Sequence, residues 1–133
     1  TARKRRGALV ACLALGLLAT SCSNEGATIE AATKSWKLSV AFSPATVPVN
    51  EHFTARVEVS AKAANEAAPP AIRANADMPA HGHGMNTEPR VTKLEDGVWR
   101  VEGLLFHMPG KWELYLDVGE GAALERATIP IEI

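Results

Sequence analysis

The chain has 133 residues and a formal net charge of −1, a length that allows about one globular domain. Four of its 14 basic residues lie in the first six positions, and no acidic residue precedes Glu25, so residues 22–133 carry ten basic against 15 acidic side chains, a charge of −5. Proteins that bind nucleic acid use clusters of lysine and arginine. The acidic balance therefore excludes a nucleic-acid partner.

The first 22 residues have the pattern of a secretory signal that ends in a lipidation site. The basic stretch "TARKRR" precedes an apolar run at residues 8–19, and small residues precede Cys22. The run is shorter than the roughly 20 apolar residues that span a bilayer. The segment "LLATSC" resembles the bacterial lipobox, although Ala19 stands where that pattern prefers leucine. We predict an envelope lipoprotein that faces the periplasm and is held to a membrane by lipid on Cys22. The alternative is cleavage nearby without lipid.

The segment after the signal has a different composition. Residues 23–34, "SNEGATIEAATK", are polar and alanine-rich without sustained periodicity, and we interpret them as a flexible tether. The other cysteine, Cys12, also follows a lipobox-like "LVA", but cleavage there would leave too short an apolar region. Because both cysteines belong to the leader, the sequence predicts no disulfide in the exported domain.

The remaining residues, 35–133, contain seven segments in which apolar and polar side chains alternate, the period of a half-buried strand. In chain order they are "WKLSVAF", "FTARVEV", "AIRANADM", "PRVTKLE", "VWRVEGLLF", "KWELYLDV" and "RATIPIEI". The joint "EDG" predicts a tight hairpin, and "MPGK" is interpreted as the next such joint. The pattern predicts one all-β domain, an immunoglobulin-like antiparallel β-sandwich of about seven strands.

The predicted core is the apolar side of these alternating runs. Its members are expected to be Trp99, Val101, Trp112, Leu114, Leu116, Ile129, Ile131 and Ile133. The two tryptophans are interpreted as core bulk rather than as binding residues.

One stretch, "MPAHGHGM" at residues 78–85, has the composition of a metal site. In an extended backbone His81, His83 and Met85 would point to one face, since side chains alternate with a period of two. Imidazole binds copper, zinc and nickel, whereas thioether sulfur is soft and selects copper(I). Histidine and methionine without cysteine thus favour copper over structural zinc.

A second pair of possible ligands, His107 and Met108, lies at a predicted strand end, and Met78 precedes the first group. If both turns lie at the same pole of the sandwich, the two groups could meet and bind one copper ion. The alternative is that the histidines bind metal only weakly and by accident, while Met78 and Met108 pack on the core. The isolated His52 is expected at the surface.

The sequence gives little support for catalysis, and we expect no enzymatic activity. Residues 23–133 contain no cysteine, and no G-x-S-x-G motif is present. The carboxylates are scattered along strand faces, where they favour solubility.

The paired segments "DMPAHGHGM" and "VEGLLFHMPGKWELYLDV" resemble those of the YtkA-like family of small exported immunoglobulin-like domains. The resemblance covers residues 35–133 and implies a β-sandwich, an envelope location and an association with FixH-like proteins, copper handling or respiratory oxidase assembly. The positions that match the family pattern are Met78, His81, His83, Met108, Gly110 and Trp112, and His107 falls at a variable one.

Two functional hypotheses follow. In the first, the chain is a copper-binding accessory protein that delivers the ion to an envelope partner or respiratory oxidase. In the second, it is an interaction module without metal, in which the "HGHG" segment is only a turn and a sheet edge docks on a membrane complex.

Overall fold

The structure is a computed structural model that describes residues 27–133, which form two antiparallel sheets packed face to face. These residues contain two short 3₁₀ helices, at Pro79–His81 and Gly121–Ala123, and no α-helix. Their nine strands are β1 Ile29–Ala32, β2 Trp36–Ser43, β3 His52–Ala61, β4 Ile72–Met78, β5 His83–Gly84, β6 Arg90–Glu95, β7 Val98–Leu105, β8 Lys111–Val118 and β9 Glu125–Glu132.

The strand order is β1-β2-β3-β7-β6 in the five-stranded sheet and β5-β4-β8-β9 in the four-stranded sheet. The prediction of an all-β antiparallel sandwich is confirmed. No helix among residues 27–133 has the length and apolar character needed to cross a membrane. The predicted signal sequence and Cys22 lie outside the described residues.

The structure has two strands more than the seven that the alternation predicts, β1 and the two-residue β5. Strand β1 lies within the segment interpreted as a tether, and it pairs with β2 so that Ile29 is opposite Val40 and Ala31 is opposite Leu38. Ile29 and Ala31 pack against the core. The tether interpretation is therefore wrong for residues 29–32. Four residues are too few to show a period, and the neighbouring strand supplies the pairing that stabilises them.

The two predicted turn signals have different outcomes. The "EDG" hairpin is confirmed, because Asp96 and Gly97 join β6 to β7 and Gly97 has a φ of +78°. The "MPGK" joint is not a hairpin, since residues 106–110 carry the chain from β7 in one sheet to β8 in the other. Phe106 is fully buried, so the chain enters the core at the point where the sequence suggests a surface turn.

The core lies between the sheets and contains no buried polar or charged residue among those described. Seven of the eight predicted core residues are buried, and the eighth, Ile133, is half-buried against the same cluster. Trp99 and Trp112 are 2% and 1% exposed, as expected for core bulk. The predicted surface residue His52 is exposed.

A carboxylate joins the two sheets where β8 ends. Glu125, the first residue of β9, accepts hydrogen bonds from the backbone N–H of Ser35 at 2.9 Å and from its hydroxyl at 2.7 Å. Hydrogen bonds from Thr33 and then from Ser35 lower the pKa of Glu125 to about 2. This contact fixes the turn between β1 and β2 against the opposite sheet, at the pole away from the start of β8.

Candidate metal site at the pole where β8 begins

The "HGHG" segment is a compact turn. Pro79–His81 forms a 3₁₀ helix whose first residue has the fixed φ and missing N–H that suit proline at a helix start. Gly82 follows with a φ of +67°, and its N–H donates to the carbonyl of Met78 at 3.1 Å. His83 then pairs back onto Met78. We name residues 79–84 the HGHG turn.

This turn brings two histidines together by a route that differs from the prediction. Extended backbone begins only at His83, so His81 does not lie two residues before it on a common strand face. The turn nevertheless places the two imidazole centroids 5.8 Å apart. Gly84 leaves room for the side chain of Asp77, since a Cβ at position 84 would collide with that carboxylate and force it to move.

The second segment, residues 106–110, is held by its own contacts with the core, and we name it the MPG loop. The indole N–H of Trp112 donates to the carbonyl of Met108 at 3.0 Å. The Phe106 ring stacks on that of Trp112 with centroids 4.5 Å apart and planes 3° from parallel. Gly110 exchanges two backbone hydrogen bonds with Ile133, at 2.8 and 3.1 Å. The loop is therefore fixed at both ends before any ligand binds.

His107 and His83 meet between these two segments. Their ring centroids are 5.0 Å apart, and the His107 ring also contacts the edge of Trp112 at 5.3 Å. The Nδ1 atom of His107 is buried and has no hydrogen-bond partner. Every other buried side-chain nitrogen or oxygen among residues 27–133 has one. Leaving such a group unpaired costs about 1–3 kcal/mol. A hydrogen-bond acceptor for the protonated nitrogen, or a donor or metal ion for the unprotonated one, would remove that cost.

The three methionines have separate surroundings. Met78 is 1% exposed, within the core, and Met108 is half-buried against the same core. Met85 is half-buried and lines a different groove, together with Pro89 and Val91. Of the six predicted ligands, the structure thus groups His81, His83 and His107, with Met108 adjacent in the chain, whereas Met78 lies in the core and Met85 borders another surface.

The donor set has definite chemical limits. Within residues 27–133 no group of three or more histidine, cysteine, aspartate or glutamate side chains is arranged to hold a metal ion. The three imidazoles are thus a row rather than a closed three-ligand site. Two imidazoles with a soft thioether would form a donor set that fits copper better than zinc, and Met108 is the methionine that follows His107 in the chain.

Sequence reasoning missed two polar groups beside His83. Asp77 and Tyr115 line a small cavity with His83, of about 270 Å³. The hydroxyl of Tyr115 donates to Glu113 at 2.7 Å, and this bond is the main reason that the pKa of Tyr115 is raised. These residues lie on β4 and β8, whose pairing could not be deduced from either strand alone.

Comparison with known protein families decides the classification. The model of the family described as YtkA-like matches residues 30–117, about two thirds of the chain. The chain belongs to the YtkA-like family. The match begins in β1 and ends in β8, so it includes both the HGHG turn and the MPG loop. Searches of curated proteins and of solved structures found no match.

The YtkA-like pattern positions now have local explanations. Gly110 has a φ of +136°, and a Cβ there would lie 2.7 Å from the methyl carbon of Met78. Trp112 fixes the MPG loop through Met108. Three of the pattern residues, Met78, Gly110 and Trp112, thus have clear packing roles in this YtkA-like domain, and His83 contacts the edge of the Trp112 ring.

Proposed function

We propose that this YtkA-like protein is an exported, lipid-anchored accessory domain that binds copper between the HGHG turn and the MPG loop. His83 and His107 are the central ligands, with His81 and Met108 as supporting donors. The domain then passes the ion to an envelope partner or respiratory oxidase. It has no enzymatic activity of its own in this proposal.

The observation that carries this proposal is the unpaired Nδ1 of His107 beside the ring of His83. Buried polar groups in folded proteins nearly always have a partner, and the exceptions require an explanation such as an ion. Here the unpaired group is a metal-binding imidazole, next to a second one, on a loop that the core already fixes. Metal binding accounts for all three features.

The residue types support copper among the common metals. Residues 23–133 have no cysteine, which structural zinc sites generally use, and the adjacent Met108 supplies a thioether. In the proposal Met78 and Met85 do not bind the ion. The half-buried position of His83 and the exposed position of His81 leave the site open to solvent on one side, as transfer to a partner requires.

The second hypothesis, an interaction module without metal, is favoured by one observation. Met78, Gly110 and Trp112, which match the family pattern, all have packing roles. If His81 and His83 also have only a structural role in the HGHG turn, the family pattern would describe a rigid end of the sandwich that docks on a partner. A measurement of copper binding distinguishes the two hypotheses.

The experiment is a copper(I) titration of the full chain with Cys12 and Cys22 replaced by serine, so that neither thiol competes for the ion. Binding is followed by tryptophan fluorescence, which Trp112 reports because its ring contacts His107. Substituting both His81 and His83 by alanine should weaken binding at least tenfold, about 1.4 kcal/mol. His52→Ala is the matched control and should bind as the parent does, because His52 is exposed and is not one of the proposed ligands, although its strand pairs with Leu105 beside the MPG loop. Equal affinity in the two variants would exclude the copper site.

A further inference from the structure

The edge of β4 is open over residues 72–75. Strand β5 pairs only with the last two residues of β4, Asp77 and Met78. The N–H of Met85 then donates to the carbonyl of Ala76 at 3.1 Å, and the chain leaves toward β6. On its other side β4 is paired with β8 from residue 72 to residue 77. This side of β4 is thus a strand edge without a hydrogen-bonded strand over residues 72–75, although β6 of the other sheet lies close to β4.

The pairing identifies which backbone groups face this edge. The carbonyl of Ala76 points away from β8, whereas that of Ala71 points toward β8 and accepts from Gly119. In an antiparallel ladder the direction alternates along the strand, so even-numbered residues of β4 direct both their N–H and C=O to the open side. Ile72 and Ala74 therefore present two donors and two acceptors that have no backbone partner among the described residues.

At Ala76 the backbone N–H on the open side of β4 has a side-chain partner rather than a strand partner. This N–H donates to the side-chain oxygen of Asn75 at 2.8 Å. A side chain thus replaces the missing strand at one end of the edge, while Ile72 and Ala74 have no such substitute.

A groove of about 630 Å³ lies beside the open edge. Its apolar lining includes Ile72, Ala74 and the half-buried side chains of Met85 and Val91, which belong to the rim of the core. An added strand would direct every second side chain toward this lining.

The outer rim of the groove is charged. Arg126 binds the carboxylate of Asp117 with two hydrogen bonds, at 2.7 and 2.9 Å. Arg73 is opposite Asp117 in the pairing of β4 with β8, but within residues 27–133 no carboxylate lies within 4.0 Å of its guanidinium. The Arg73 side chain is exposed and helps to lower the pKa of Asp117 without direct contact, and Glu88 also lines the groove; the Arg73 guanidinium can still pair with an acid on a neighbouring strand.

We propose that the open edge of β4 binds an extended peptide segment of a partner protein by strand addition. The segment pairs with Ile72 and Ala74, directs apolar side chains into the groove and places an acidic side chain beside Arg73. Strand addition of this kind takes affinity from backbone hydrogen bonds and specificity from alternate side chains. A second copy of β4 does not fit, because its outward residues over this stretch are Arg73 and Asn75, neither of which is acidic. The proposal is independent of copper binding.

The probe is a capped peptide of alternating valine and glutamate, added to the full chain without metal. Binding should shift the backbone amide resonances of Ile72 and Ala74 and slow their hydrogen exchange.

Two further peptides test the direction of the backbone hydrogen bonds. In one, the backbone nitrogens of all valines are methylated; in the other, those of all glutamates are methylated. Because only one alternate set of N–H groups can face β4, one of these peptides should lose binding at least tenfold and the other should bind as before. Equal behaviour of the two methylated peptides would overturn the proposal.

A charge exchange tests the role of Arg73 without altering the backbone. Arg73→Glu should lower affinity for the glutamate peptide at least tenfold and raise affinity for a valine–lysine peptide. Arg56→Glu, an exposed arginine on the five-stranded sheet, is the matched control and should leave both affinities unchanged. Shifts that map away from β4, or self-association of the chain through β4, would also contradict the proposal.

Discussion

The imidazole centroids of His83 and His107 lie 5.0 Å apart, although one belongs to the two-residue strand β5 and the other to the loop after β7. Trp112 contacts both rings at their edges, with centroids 6.2 Å from His83 and 5.3 Å from His107. Because Trp112 is 1% exposed, the core sets the positions of both rings. The pair is therefore arranged by the fold before any ion arrives.

If the two histidines bind one copper ion, their substitutions should not be additive. His83→Ala and His107→Ala should each weaken copper(I) affinity at least tenfold, about 1.4 kcal/mol. The double variant should lose little more than either single variant, because residues that share one ligand are coupled. A titration of all four proteins in the background without cysteine measures this cycle. Fully additive losses would show that the histidines bind separate ions.

The unpaired nitrogen of His107 also has a consequence for the metal-free protein. His107→Leu removes a buried polar atom without a partner and keeps an apolar side chain against Trp112. We expect the free energy of unfolding of the metal-free chain to rise by about 1 kcal/mol. Urea denaturation in the presence of a chelator measures the change. Destabilisation by the same variant would show that the nitrogen is paired in solution, most simply with water.

How far the sequence predicts this fold depends on whether the signal is local. Alternation identifies β2 and β8 because each strand has eight residues with one buried face. It does not identify β1, which is short, and it misplaces the MPG loop. Whether a turn returns to the same sheet or crosses to the other is decided by the burial of Phe106, which is a tertiary contact.

The candidate site shows the same division. Residue types alone predict that His81 and His83 lie close together, and the structure agrees, although through a turn rather than a strand. The approach of His107 depends on strand order, which no local pattern contains. The location of Met85 beside another groove follows from the departure of the chain after β5, and the extended-strand argument could not anticipate it.

The proposed membrane attachment depends on Cys22, which lies outside the described residues. We expect Cys22→Ser to move the protein from the membrane fraction to the soluble periplasmic fraction, because a lipid on this cysteine would be the anchor. Cys12→Ser is the matched control and should remain in the membrane fraction. Cell fractionation with detection of the intact domain measures both. If the Cys22 variant stays with the membrane, another part of the protein or a partner holds it there.

The contact between Glu125 and Ser35 should make stability depend on acid. The pKa of Glu125 is lowered in the folded state from 4.5 to about 2. A lowered pKa means that the ionised group stabilises the folded state above about pH 4.5, and that this contribution is lost as the pH falls toward 2. Glu125→Gln should therefore destabilise the chain at pH 6 and have a smaller effect at pH 3.

Urea denaturation at these two pH values tests the prediction. Glu132→Gln changes an exposed carboxylate at the other end of the same strand and is the matched control. It should show little loss of stability at either pH. If Glu125→Gln lowers the free energy of unfolding as much at pH 3 as at pH 6, the contribution of this contact does not depend on the charge of Glu125.

The packing of Gly110 against Met78 predicts a specific cost for adding one methyl group to the MPG loop. In Gly110→Ala the new Cβ would lie 2.7 Å from the methyl carbon of Met78, which is enclosed in the core and has little room to move.

Gly121→Ala is the matched control, because Gly121 also has a positive φ, +55°, but nothing lies within 4 Å of its Cβ position. Gly121 lies in the left-handed region that alanine can adopt at a modest cost, whereas the φ of Gly110 lies outside it, so Gly110→Ala adds both greater backbone strain and overpacking, which typically costs about 1–3 kcal/mol. Gly110→Ala should therefore lower the free energy of unfolding by more than Gly121→Ala. Met78→Val removes the methyl carbon that the new Cβ would meet. The double variant Gly110→Ala/Met78→Val should therefore recover part of the loss caused by Gly110→Ala. Equal losses for the two alanine variants, or no recovery in the double variant, would show that the loop yields at Gly110 and that Met78 does not hold it in place.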